Sequence, residues 1–157
     1  MTQENMPEND TLDPRFLEKS YQEAMALTQD VANYLESESK NLRDLTENSE
    51  VCYASETMRV STCLMQVMSW FLVQKAVISG EITKKQARAS KFRLGAYDVC
   101  LAKINTKGEM LPEEFVIFMN KAQNLYRQVV RMEQMYYGNS DAANPVHDLF
   151  GRIKSKE

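Results

Sequence analysis

A single histidine, three cysteines, five glycines and four prolines are spread over 157 residues. Each shortage excludes something. The histidine, His147, lies in a polar C-terminal segment. A Ser/His/Asp or Cys/His pair needs its histidine held against a nucleophile, and a solvated tail does not hold one. Cys52, Cys63 and Cys100 fit no zinc or redox spacing, and an odd count does not suggest a disulfide framework. Cys63 and Cys100 sit in apolar settings and read as small core residues. The glycines are isolated, so no loop cradles a phosphate. No Glu-x-x-His occurs, which removes a di-iron bundle. No enzymatic activity, cofactor or metal is therefore expected.

The shortage of glycine and proline also speaks to fold. Turn signals cluster near the ends and around residues 80–112, while Glu, Lys, Gln, Ala, Met and Leu are common. A few long helices fit this better than a sheet. Membrane-length apolar runs are absent as well. From Leu64 to Ile78 eleven of fifteen residues are apolar, but Gln66, Ser69, Gln74 and Lys75 interrupt them. The segment is too apolar for a surface helix and too interrupted for a span, so it reads as a helix enclosed by others. The acidic, polar N-terminus is no signal peptide, and the expected setting is a reducing compartment, the cytoplasm.

Three long helices are expected, at 14–48, 51–79 and 111–137. Asp13-Pro14 is an N-cap followed by proline at the first helical position. Leu17, Tyr21, Ala24, Thr28, Val31 and Leu35 then recur at steps of four and three, and Leu42 and Leu45 continue the seam. Glu23, Asp30, Glu36 and Glu38 fall outside it and read as a solvated face. Ser49 is placed to cap the second helix. On that helix Val60, Leu64, Val67, Met68, Trp70, Phe71, Leu72 and Ile78 form a broad apolar side. Ser55, Arg59, Thr62, Gln66 and Ser69 form a narrow stripe of small or polar side chains, suited to close helix approach or to docking. Gly80 should end the helix. In the third helix Phe115, Phe118, Ala122, Leu125, Val129, Met132 and Tyr136 form an unbroken seam.

Two narrow seams cannot cover the broad face of the middle helix. An all-α, antiparallel three-helix bundle that buries the remainder by homodimerising is the expected architecture, with a disordered segment at 1–13 and a flexible tail at 138–157. A short connector helix at 83–93, started by the capping box Thr83 to Gln86, is the competing cover. Residues 94–110 are undecided between helix and extended chain.

The net charge is −3 but unevenly spread: residues 81–110 carry seven bases and three acids. Lys84, Lys85 and Arg88 begin a run with no acid through Arg93. A solvated face, a protein-docking patch and nucleic acid are the three readings. The chain as a whole is acidic, so nucleic acid is the weakest of them. In the tail, Val146, Leu149, Phe150 and Ile153 lie at helical spacing in a polar segment, as in peptides that order on binding a partner.

The segment ETMRVSTCLMQVMSWFLVQKAV with a following GE resembles the signature of the RcdA-like (regulator of CtrA degradation) family of bacterial proteins. LPEEF, LYRQVVRME and EAMAL are similar to its other helices. The resemblance spans about residues 17–137. It implies a homodimeric three-helix bundle with a flexible C-terminal tail and no catalysis. It further implies a cytoplasmic adaptor that brings regulators, such as a CtrA-like response regulator, to the ClpXP protease. The ClpX unfoldase would be primed by a response-regulator partner, and neither membrane nor nucleic acid is among the expected partners. Candidate protein-binding residues are Arg59, Gln66, Lys84, Lys85, Arg88, Val146, Leu149, Phe150 and Ile153. The alternative function is a small DNA-associated regulator using residues 84–93.

Overall fold

A computed structural model describes residues 12–38, 45–104 and 111–138. Its long helices are α1 (Pro14–Glu38), α2 (Glu47–Ile78) and α5 (Glu113–Tyr137), with one-turn helices α3 (Lys84–Ala87) and α4 (Tyr97–Cys100) and a 3-10 turn at Ser90–Phe92 between α2 and α5. Among the described residues there is no strand. The protein is an all-α bundle, as its periodicities require.

Local chemistry sets most helix ends. Asp13 Oδ1 accepts from Arg15 N at 2.9 Å and opens α1. Thr46, not Ser49, caps α2: its hydroxyl accepts from Ser49 N, and Ser49 itself is buried within the first turn. The predicted continuation of the first helix through Leu42 falls outside the described residues, and Leu45 packs beside the core ahead of α2. Gly80 ends α2 with a φ of +79°, a left-handed conformation that costs glycine little. The capping box of α3 is complete, with Thr83 N donating to Gln86 Oε1 and Gln86 N to Thr83 Oγ1. Pro112 is the N-cap of α5, not its first helical residue, so the helix starts at Glu113, two residues later than expected.

The order of the helices differs from a strict up-down-up bundle. Tyr53 near the start of α2 packs on Phe115 near the start of α5, with ring centroids 4.5 Å apart. At the far end Tyr137 donates to Gln74. So α5 runs parallel to α2, and α1 is antiparallel to both: Tyr34 near its end stacks on Phe115. Two parallel neighbours need a connection that travels back the length of the bundle. The described residues 79–104 run along the bundle in this connection and bury Ala87, Leu94 and Cys100 against it. The expected helix 83–93 is therefore broken. Ala89 is extended (ψ 143°), and Arg93 and Leu94 turn inward to bonds on α5 that outweigh continued helix.

The core consists of two clusters along the bundle axis, with Leu125 packed against both. Trp70, Phe71, Tyr126 and Val129 centre one half of it, and Tyr34, Tyr53, Leu64 and Phe115 the other. Burial of the second half raises the Tyr34 hydroxyl pKa to about 12.

Candidate protein-binding surface on the second helix

The polar stripe predicted on α2 divides in two. Arg59 and Gln66 face the connector. Arg59 Nη1 donates to Ala102 O at 2.7 Å, while its Nη2 lies 2.6 Å from Glu56 Oε2. Gln123 Nε2 on α5 donates to the same Ala102 carbonyl at 2.6 Å and to Cys100 O at 3.2 Å. Gln66 Oε1 accepts from Gly95 N at 2.9 Å, and Gly95 O accepts from Tyr126. This double hold carries Ala96 in a left-handed conformation, φ 60°, that costs a non-glycine residue about 1–2 kcal/mol. Arg59 and Gln66 are thus engaged within the chain, where they fasten residues 95–102 to the bundle.

Glu133 completes that fastening. It is buried on α5, accepts from Leu94 N at 2.7 Å and from the Tyr97 hydroxyl at 3.1 Å, and stands 3.1 Å from Arg93 Nε. Arg93 Nε meets the carboxylate off the hydrogen-bond line, so that contact is ionic. Burial first, and the Glu133 charge second, push the Tyr97 hydroxyl up from its ordinary value. Neither Gln123 nor Glu133 stands out by residue type. The signal was a second row on α5: Met119, Gln123, Tyr126, Val130, Glu133 and Tyr137 recur at steps of four and three.

The other part of the stripe faces outward. Ser55 and Ser69 are exposed and Thr62 is half-buried. Beside them run Val51 (68% exposed), Met58 (73%), Met65 (69%) and Leu72 (54%), each seven residues from the last. Thr62 donates its hydroxyl back to Met58 O at 2.8 Å, so its methyl group is free to face a partner. Large apolar side chains alternating with small ones along one line are the pattern of a helix–helix seam. Of the broad apolar side, Val60, Leu64, Val67, Trp70 and Phe71 are buried within the chain, Met68 is partly buried and Ile78 is exposed.

The basic run is dispersed. Lys85 and Arg88 are exposed, whereas Lys84 is half-buried in a cleft of about 260 Å³ beside Leu12, Pro14, Gln74 and Tyr136. Lys91 lies 4.8 Å over the Phe92 ring, and Arg93 is drawn in by Glu133. A one-turn α3 gives these cations no helix of the length that enters a DNA groove. Val146, Leu149, Phe150 and Ile153 lie outside the described residues. Among the described residues no group of three or more His, Cys, Asp or Glu side chains is placed to hold a metal, and no helix is long and apolar enough to cross a membrane.

Residues 8–156 match the family described as "Protein of unknown function (DUF1465)". No curated protein matches the chain in sequence. Among solved structures, the fold is similar to that of RcdA from Caulobacter crescentus CB15. The two share 29% sequence identity and a TM-score of 0.69, and the match covers 84% of this chain and 98% of that one.

Proposed function

This chain belongs to the RcdA-like family, described as "Protein of unknown function (DUF1465)", and on that premise we propose that it is a non-enzymatic protein-binding adaptor. The observation that carries the reading is the outward face of α2. Val51, Met58, Met65 and Leu72 present four large apolar side chains along one line of α2, each more than half exposed. Such rows are retained where another protein covers them. The proposed partner on this row is a second copy of the chain, giving a homodimer with Ser55, Thr62 and Ser69 allowing close approach.

In the fuller reading the adaptor is cytoplasmic and delivers regulatory proteins, such as a CtrA-like response regulator, to the ClpXP protease. A response-regulator partner would prime the ClpX unfoldase. Exposed Lys85 and Arg88, with the tail residues Val146, Leu149, Phe150 and Ile153, are the proposed contacts for cargo or protease. The test is a reconstituted ClpXP degradation assay with candidate regulators and the priming partner. Addition of this protein should accelerate turnover of at least one regulator. Unchanged turnover of every regulator would count decisively against delivery, leaving the dimer to be judged by its own measurement.

A further inference from the structure

We propose that Cys63 and Cys100 form an oxidisable dithiol, a modification site at which a hydroperoxide converts the noncovalent hold between α2 and the connector into a disulfide. Both thiols are buried, one in the middle of α2 and the other at the end of α4. Both line one cleft of about 10 Å³, together with Glu56, Arg59, Ile104 and Gln123. That is the room of about one water molecule, so hydrogen peroxide, with two oxygens, reaches the thiols as the connector opens. The connector is held in place at this point by Arg59 and Gln123, which both bond to the carbonyl of Ala102. The pair is thus presented by the same bonds that fasten 95–102.

The two sulfurs are unequal. The Cys100 thiol hydrogen-bonds to Cys63, and this bond, assisted by the Arg59 guanidinium, holds Cys63 below its ordinary pKa despite burial. Cys100 is pushed up by the same hydrogen bond and by burial. Cys63 is therefore the attacking thiolate. Its sulfur takes one peroxide oxygen, the O–O bond breaks, and the departing hydroxide leaves as water with the proton given up by Cys63. The Cys63 sulfenic acid is then attacked by the Cys100 sulfur. The S–S bond forms, the S–O bond breaks, and the second hydroxide leaves as water with the proton of Cys100. Two thiols lose two electrons in all, and one peroxide is reduced to two waters.

The test uses the full chain. Reduced protein, unfolded and alkylated, takes one group on each of its three cysteines. After native treatment with hydrogen peroxide the expected uptake is a single group, on Cys52, and reductant restores the rest. Peptide mapping should join the peptides of Cys63 and Cys100. Cys52→Ser leaves the pair untouched and should pass from two alkylated positions to none. In the oxidised protein the amides of Tyr97–Leu101 should exchange about tenfold more slowly, because the cross-link suppresses opening of the connector. Full alkylation after peroxide would overturn the proposal. So would a chain-to-chain disulfide through Cys52 as the product, or over-oxidised Cys63 with Cys100 still free.

Discussion

Two edges of α2 lie side by side and behave oppositely. The edge with Arg59, Cys63 and Gln66 is polar, yet each residue is occupied within the chain. The edge with Val51, Met58, Met65 and Leu72 is apolar, yet it faces solvent. Polarity therefore does not tell which edge meets a partner. A polar group on a helix packed inside a bundle loses water and must find a bond, so it fixes whatever backbone comes near. Here that backbone is the connector, whose carbonyls and amides at Gly95 and Ala102 have no sheet or long helix to satisfy them. An apolar row makes no such demand within the chain, and it gains most when a second surface removes it from water.

The contrast is sharpest at two adjacent residues, and the largest effect is expected at the first. Phe71 is 0% exposed at the centre of the bundle. Phe71→Glu puts a charge there without a partner and should cost several kcal/mol or more, leaving no cooperative thermal transition. A folded Phe71→Glu protein would contradict the packing described. Next comes Glu133→Ala, which strands the Leu94 amide, the Tyr97 hydroxyl and Arg93 at once. A loss of about 3–5 kcal/mol in urea unfolding is expected, as for a buried ion pair broken from one side. Gln66→Ala removes one acceptor and leaves the Gly95 amide unpaired. It should cost about 1–2 kcal/mol and speed exchange of connector amides while α1 is unaffected. Equal loosening of α1 would mean that Gln66 supports the whole bundle rather than the connector.

Much of this architecture was legible in the sequence because it is written in periodicity. The seams of α1 and α5, the stop at Gly80 and the capping box at Thr83 all follow from local patterns. Three features were not. The parallel course of α2 and α5 depends on a connector whose own pattern was ambiguous, and tertiary bonds from Glu133 and Gln66 decided its path. Arg59 and Gln66 looked like surface because they are polar, and only the position of residues 95–102 turns them inward. Leu72 was grouped with Phe71 on one broad apolar side, since a helix wheel shows that a face is apolar but not where its cover ends. The connector supplied the cover the expected partner was meant to give on one side, so on α2 the large apolar side chains left exposed are the row Val51, Met58, Met65 and Leu72, and Ile78 at the helix end.

That row permits the last and smallest test in energy, though the most direct for function. Leu72 is half exposed and lies one residue from Phe71. Leu72→Glu, alone or with Met65→Glu, removes no internal contact of consequence and should change the stability of the isolated subunit by no more than about 0.5 kcal/mol. If two copies meet through this row, the substitution places like charges across the two-fold axis, and the assembly should fall to a monomer by light scattering at micromolar concentration. The melting temperature of the parent protein should rise with concentration and that of the variant should not. A parent protein that is already monomeric would remove the dimer. A variant as damaged as Phe71→Glu would show instead that the outer edge belongs to the core, and the division between the two edges of α2 would not stand.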